Sequence, residues 1–470
     1  MLGWLGVAWA GTPEPEVRAW PFDDVEARGH LLVEPRQAEP HKTWVSREAT
    51  VMTATGVVHA PGFVVIADGK IAEVGPGAGP ALEGALAVDG RGMWLTPGLI
   101  DTHSHLGVYP SPGFGAHGDG NEATAPTTPG VWAEHSAWPQ DPGFAWAIAG
   151  GITALQLLPG SANLVGGRGV VVQVVPARGS RAMRFPGAPE TVKMACGENP
   201  KRVYGEKGGP STRMGNLRGQ REAFLGAEAY LLRWVDYERK KAASEESGEG
   251  KKKKEAPGDL PLPPDRDLDQ ETLAGILVGK FLPQVHCYRA DDMLSFLQVA
   301  DEFGFQVRSF HHALEAYKIR DILAERAVAV STWSDWWGFK IEAYDGIPEN
   351  LALVTDAGGR GVVHSDSGVG IQRLNQEAAK ALTAGREAGI QVTDDQALRW
   401  ITINPAWALG IDGTTGSIEV GKRADLVLWD HSPFSVYARA HEVWVDGLLR
   451  WDADQPTVWS DYLIGQEVGP

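Results

Sequence analysis

The sequence predicts an α/β protein, a (β/α)8 TIM-type barrel joined to a small sheet domain built from both ends of the chain. Three observations predict it. Between Pro97 and Gly410, short apolar runs alternate with stretches of helical periodicity, the pattern of βα units around a parallel sheet. Two glycine-punctuated, β-branched segments, residues 48–96 and 411–453, flank that middle. The 470 residues also leave room for a barrel of about 250 residues and an accessory domain.

In chain order, residues 1–10 form a short apolar run ending in Ala8-Trp9-Ala10. With small residues at a cleavage position, this reads as the remnant of a secretory signal, although no basic stretch precedes it. Export, to the periplasm or beyond, is the resulting expectation, with a cytoplasmic location as the alternative. Residues 11–47 follow as a polar, proline-bearing extension. In the first sheet segment Asp68-Gly69 separates two apolar stretches, and Asp446-Gly447 does the same near the C-terminus; both are hairpin turn signals. The barrel strands are expected at Pro97 to His103, Ile152 to Leu158, Val170 to Val175, Thr191 to Ala195, Pro283 to Cys287, Gln306 to Phe310, Val328 to Thr332 and Gly361 to His364. Helical spacing marks Asp291 to Glu302, Glu315 to Arg326 and Leu374 to Ala388, and Thr393 with Gln396 resembles a capping box. No helical pattern separates the third strand from the fourth. Residues 242–267 are polar, charge-blocked and proline-rich, so they predict a solvated insertion. Lys251 to Lys254 belong to it, flanked by acidic residues. Residues 454–470 remain as a C-terminal tail.

Composition excludes some functions. A net charge of −17 and a pI near 5.2 argue against a nucleic-acid partner, which needs a basic surface. No apolar run reaches the roughly 18–20 residues of a membrane-spanning helix. The two cysteines, Cys196 and Cys287, lack CxxC spacing; they indicate neither a thiolate metal site nor a disulfide framework, and leave a single bridge open.

The chemistry gathers at strand ends. In LTPGLIDTHSHLG, Leu95 to Gly107, His103 and His105 stand at i and i+2, so on an extended strand both imidazoles face one side. His286, the adjacent His311 and His312, and Asp366 follow other predicted strands at the same end. That is the active-site end of such a barrel. Imidazoles and a carboxylate converging there point to a metal site.

At these motifs the chain resembles the amidohydrolase superfamily and, within it, the imidazolonepropionase-like branch. The segments that carry the resemblance are PGLIDTHSHLG, GITALQLLPGSANLVGGRG, KMACGENPKRVYG, VHCYRADD, HHALEAYKI, HSDSG and VGKRADLVLWD. The resemblance implies a barrel plus a small β-sandwich domain formed from N- and C-terminal segments, and a divalent metal held by His103, His105, His286, His312 and Asp366. The family spacing to Glu315 selects His312 over His311, of which only one is expected to face the interior; His311 is then structural. Lys193, in the strand TVKMA, matches the lysine that binuclear members carbamylate to bridge two metals. The alternative is a lysine paired with Glu198 or another carboxylate.

The expected cofactor is Zn2+, one or two ions, with another divalent metal as the alternative. Zinc lowers the pKa of a coordinated water toward about 7, and Asp366 can take a proton and return it to a departing nitrogen. The expected function is therefore a metal-dependent hydrolase that cleaves a C–N bond of an amide, cyclic amide or small peptide through a metal-activated hydroxide. The alternatives are a deaminase or isomerase on the same metal barrel, or a non-catalytic exported binding protein, which a broken ligand set would betray. Substrate contacts are expected from Tyr288, Arg289, Trp336 and Asn163. For each the alternative is structural: Arg289 paired with Asp291 or Asp292, and the STWSDWWGF aromatics as a packed loop. The partner is a small-molecule amide or dipeptide, with self-association into a homo-oligomer left open.

Overall fold

The computed structural model describes residues 41–248 and 261–456. The expected signal remnant, most of the N-terminal extension, the middle of the insertion and all but the first residues of the tail lie outside the described residues.

The first strands are β1 (Trp44–Met52), β2 (Val58–Ala67), β3 (Lys70–Pro76), β4 (Leu86–Asp89) and β5 (Trp94–Pro97). Asp68 and Gly69, which join β2 to β3, both have positive φ, 51° and 74°. Two consecutive residues with φ above zero define the turn that matches strand twist in a two-residue hairpin, and Asp-Gly suits it.

The barrel strands are β6 (Leu99–Ser104), β7 (Ile152–Leu157), β8 (Val165–Gln173), β9 (Thr191–Ala195), β10 (Leu282–Cys287), β11 (Ser309–His312), β12 (Ala329–Thr332) and β13 (Arg360–Val363). They are hydrogen-bonded in the order β13-β12-β11-β10-β9-β8-β7-β6. The open seam between β13 and β6 is bridged from the loop after β13, where the Asp366 N–H donates to the His103 carbonyl at 3.0 Å. One expectation fails: the sheet is not wholly parallel. β8 runs antiparallel to both β7 and β9. The link from β7 to β8, residues 158–164, is too short for a parallel crossover, which needs a dozen or more residues, so the chain turns back on itself. Because β8 also runs antiparallel to β9, the link between the third and fourth strands needs no crossover helix either, and no helical pattern separates them.

Around the barrel lie α1 (Pro142–Ala149), α2 (Glu198–Tyr204), α3 (Arg213–Gly248), α4 (Leu268–Leu277), α5 (Ala290–Phe303), α6 (Arg320–Glu325), α7 (Asn350–Asp356), α8 (Leu374–Glu387), α9 (Asp394–Arg399) and α10 (Ile403–Ala408). The capping box at Thr393 and Gln396 is formed in both directions. α3 carries the chain to Gly248, past the point where the solvated insertion was expected to begin. Residues 242–248 contain no proline and are rich in alanine and glutamate, so nothing breaks the helix there. Phe224, Ala227 and Tyr230 of α3 are fully buried and pack with Phe296 of α5 and Phe310 of β11.

The chain returns to the first sheet with β14 (Leu426–Trp429), β15 (Ala440–Val445) and β16 (Leu448–Asp452). The terminal segments form one ladder, β16-β15-β14-β5-β1-β2-β3, with β4 on β1. Asp446 and Gly447 repeat the positive-φ hairpin, at 57° and 71°. The two turns touch, since a Cβ on Gly447 would lie 2.7 Å from the Gly69 Cα. Trp44 stacks on Trp444 at 4.5 Å and donates its indole N–H to the Gly447 carbonyl at 3.2 Å, which fastens the first strand to the last hairpin.

Candidate metal centre

The site begins at the end of β6. Asp101 is fully buried and its Oδ1 accepts from the backbone N–H of His103 at 3.0 Å and of Ser365 at 3.1 Å. The Ser365 hydroxyl donates to its other oxygen. Burial pushes the Asp101 carboxyl up to about 7. Asp101 thus ties the strand carrying His103 to the loop carrying Asp366.

A hydrogen-bond chain then sets the His103 ring. His311 Nε2 lies 2.7 Å from Gln284 Oε1, an oxygen that can only accept, so Nε2 carries the His311 proton. The His311 Nδ1, 2.9 Å from His103 Nδ1, is then the acceptor, and His103 holds its proton on Nδ1. This leaves the His103 Nε2 lone pair facing the centre. It lies 3.3 Å from His105 Nε2, 3.4 Å from Lys193 Nζ and 3.6 Å from Asp366 Oδ1. His105 is oriented alike: its Nδ1 donates to the Leu158 carbonyl at 2.9 Å, and its Nε2 lies 3.3 Å from Asp366 Oδ1.

The expectation that only one of His311 and His312 faces the interior is corrected. Both are buried and both join the imidazole cluster. His312 and Ala313 adopt left-handed φ of 69° and 38°, which breaks the alternation of a strand and turns the second ring inward as well. His312 Nδ1 stands 4.0 Å from Asp366 Oδ2. His364 belongs to the same cluster, 5.0 Å from His103 and from His312 between ring centres. Its Nε2 accepts from the His312 N–H at 3.3 Å. Asp366 itself sits at φ 47°.

Among the described residues, two groups have ligand atoms within 4.8 Å of one another, His103 with His105 and Asp366, and His103 with His312 and His364. His286 stands beside them, its ring 4.5 Å from that of His312. Both of its ring nitrogens, together with His312 Nδ1 and His364 Nδ1, are buried without a hydrogen-bond partner among the described residues. Unpaired buried polar atoms are costly; a bound cation would satisfy one lone pair on His286 and one on His312, whereas His364, whose Nε2 accepts from the His312 N–H, carries its proton on Nδ1. Nitrogen and carboxylate donors converging at strand ends fit a divalent transition metal.

Burial sets the charge state. Desolvation first, then neighbouring positive charge, holds His103, His286, His311 and His312 well below the usual imidazole range, and desolvation, opposed by the Asp366 carboxylate, brings His364 to about 3. Burial alone would raise Asp366, but the close approach of His105 and the positive charge of Lys193 outweigh it, so the carboxylate stays ionised. Lys193 is buried, donates to the Pro159 carbonyl at 3.2 Å, and is brought by desolvation to about 7. Glu198, weighed as its partner, pairs with Lys340 at 3.4 Å.

Of the expected substrate contacts, the structure brings Tyr288 and Trp336 to a cavity of about 520 Å³ that opens onto Asp366. Arg289 lies elsewhere, its guanidinium bonded to both oxygens of Asp291 at 2.8 and 3.0 Å. Asn163 is buried, and its amide nitrogen lies within hydrogen-bond distance of the Glu122 and Ala125 carbonyls and the Tyr204 hydroxyl, so it pins the loop across from β8. Cys196 and Cys287, at the ends of β9 and β10, form a disulfide with 5.4 Å between their Cα atoms.

Comparison with known proteins places this geometry. A family model described as "Amidohydrolase family" matches residues 307–449. The crystal structure of an amidohydrolase from Thermotoga maritima MSB8 is similar over 86% of this chain and 98% of its own, at 34% identity and a TM-score of 0.73. The amidohydrolase tasK of Hapsidospora irregularis is 34% identical over 388 residues, 79% of this chain. The chain spans only 38% of that relative's length. An imidazolonepropionase of Shewanella frigidimarina (strain NCIMB 400) is 49% identical over 53 residues, 11% of this chain and 13% of its own.

Proposed function

Because the chain belongs to the amidohydrolase superfamily, we propose that it is a zinc-dependent hydrolase of C–N bonds in amides, cyclic amides or small peptides. One observation carries the reading: His103, His105 and Asp366 converge to within 4.8 Å beside buried imidazole nitrogens that have no hydrogen-bond partner among the described residues. His103, His105, His286, His312 and Asp366 would hold the cation, and a carbamylated Lys193 would bridge to a second. When bound, zinc or a similar cation supplies an acidified water and a polarised carbonyl at neutral pH.

The chain's own residues do the rest. Asp366, ionised and next to His105, takes the proton of the attacking water at its carboxylate and returns it to the leaving nitrogen, serving first as base and then as acid. The Gln284–His311–His103 chain and the Leu158 carbonyl hold the two imidazoles of the HxH pair in one tautomer and orientation, the kind of outer support that tunes ligand basicity. Near pH 7 a large share of Lys193 is the neutral amine that carbon dioxide can capture. The Cys196–Cys287 pair supports an oxidising compartment, in keeping with the export expected from the first residues.

The test is a screen of N-acyl amino acids, dipeptides and cyclic ureides with the purified chain, before and after chelation. Amine release should vanish with chelator and return with zinc. Asp366→Asn should lower turnover by about 10²- to 10⁴-fold with the circular dichroism unchanged. Activity that survives either treatment overturns the proposal.

A further inference from the structure

Resting on the reading of the centre as an amide hydrolase site, we propose that the substrate group beside the scissile bond is aromatic and uncharged, seated in the ring-lined cavity that follows β12. The cavity, about 520 Å³, is bounded by Tyr288, Trp333, Trp336, Trp337 and Phe339 and opens onto Asp366. That volume lies within the range of small-molecule sites. Three of these rings are left open to solvent, with Trp336, Trp337 and Phe339 exposed by 41%, 59% and 55%. A cluster of exposed rings at the mouth of a reactive centre marks a surface that a ligand covers.

The ring geometry states what kind of ligand. From the centre outward, Trp333 lies 4.4 Å from His312 with planes 25° apart, and Trp336 lies 5.1 Å from Trp333 with planes 19° apart. The near-parallel series ends at the exposed Trp336. Phe339 stands across it, edge-on to Tyr288 at 6.2 Å and to Trp333 at 5.9 Å. Gly338, at φ 71°, supplies the left-handed turn from which Phe339 departs. A planar guest therefore finds a face to stack on and a ring edge to meet, the two arrangements aromatic pairs prefer.

Charge decides between an aromatic guest and a cation, since ring-lined cavities also attract cations. Lys340 Nζ already lies 4.0 Å over the Tyr288 ring and would repel a second positive group. Asp335, on the cavity wall, is bound to Lys380 at 3.1 Å, and Asp366 belongs to the metal centre. An incoming cation would find no free counter-charge among these wall residues.

The experiment is titration calorimetry of the full chain with N-acetyl-L-phenylalaninamide, N-acetyl-L-alaninamide and N-acetyl-L-lysinamide, followed by turnover of the same three probes with zinc. The phenylalanine probe is expected to bind at least about tenfold more tightly than the other two. Trp336→Ala should erase that difference by weakening the phenylalanine probe to the level of the other two, and Trp336→Phe should keep most of it; Phe339→Ala provides a second, independent variant at an exposed position. Equal affinities, preference for the lysine probe, binding of none, or a preference untouched in both alanine variants would overturn the inference. A phenylalanine preference with no hydrolysis of any amide would instead remove the hydrolase reading and leave the aromatic cavity standing.

Discussion

Lys193 shows how far a single residue can be read and where the reading stops. Its place on a strand was legible from TVKMA, but whether it meets a carboxylate was not, because its contacts at Pro159 and His103 are 34 and 90 residues away. The structure gives it a carbonyl and an imidazole, and burial lowers it to about 7. If it bridges as a carbamate, the zinc-loaded chain should hold roughly two ions and Lys193→Ala roughly one by elemental analysis; identical stoichiometry in both would end its bridging role. His311 marks the limit more sharply. Its function as the group that fixes the His103 tautomer depends on Gln284, 27 residues away, and on His103, 208 residues away, and no local pattern records such a pairing. Asn163 and Arg289 were legible as polar residues near the mouth. The Arg289–Asp291 pair, two residues apart, was among the expected alternatives and is formed, whereas the Asn163 amide lies against carbonyls 41 and 38 residues away, contacts that only the packed loops create.

Elements were legible where local chemistry dictates them. Both Asp-Gly hairpins and the Thr393 capping box follow from backbone preferences confined to a few residues, and all eight barrel strands appear in the expected order. The direction of β8 was not legible in periodicity, which is the same for parallel and antiparallel strands; only the short link before it carried that information. The ends of β9 and β10 raise an energetic point. They bear Lys193 and His286, lie in register with His286 opposite Ala195, and are joined by the Cys196–Cys287 disulfide across 91 residues. Closing so long a loop restricts the unfolded chain, so the double variant Cys196→Ser/Cys287→Ser should lose about 2–4 kcal/mol of stability in denaturant titration. Thiol counting on the denatured wild-type chain should find no free cysteine. Two reactive thiols, or an unchanged midpoint in the variant, would refute the brace.

At the scale of the whole molecule, the centre makes the metal-free fold sensitive to acid. His103, His286, His311, His312 and His364 are all buried and all held neutral well below the ordinary imidazole value of 6.5. Below pH 6.5 the unfolded chain binds protons at these positions while the folded chain does not, so stability falls as pH falls. Each such group contributes a slope of about 1.4 kcal/mol per pH unit. Asp101, raised to about 7, works the other way between roughly pH 4 and 7, where the fold keeps a proton that the unfolded chain has lost; it offsets one imidazole. Lys193, lowered to about 7, adds stability only as pH climbs from 7 toward its ordinary value and is silent in acid. A net slope near four imidazoles, about 5–6 kcal/mol per pH unit, matches the whole stability of a typical domain, about 5–15 kcal/mol, within two or three units. Chelated protein should therefore unfold cooperatively between about pH 6 and 4 in near-ultraviolet circular dichroism. The zinc-loaded protein should unfold at lower pH, because ligation stabilises the native state by mass action and protons must displace the cation first. A chelated chain that stays folded at pH 4, or an acid midpoint indifferent to zinc, would show that these imidazoles neither resist protonation together nor share an ion.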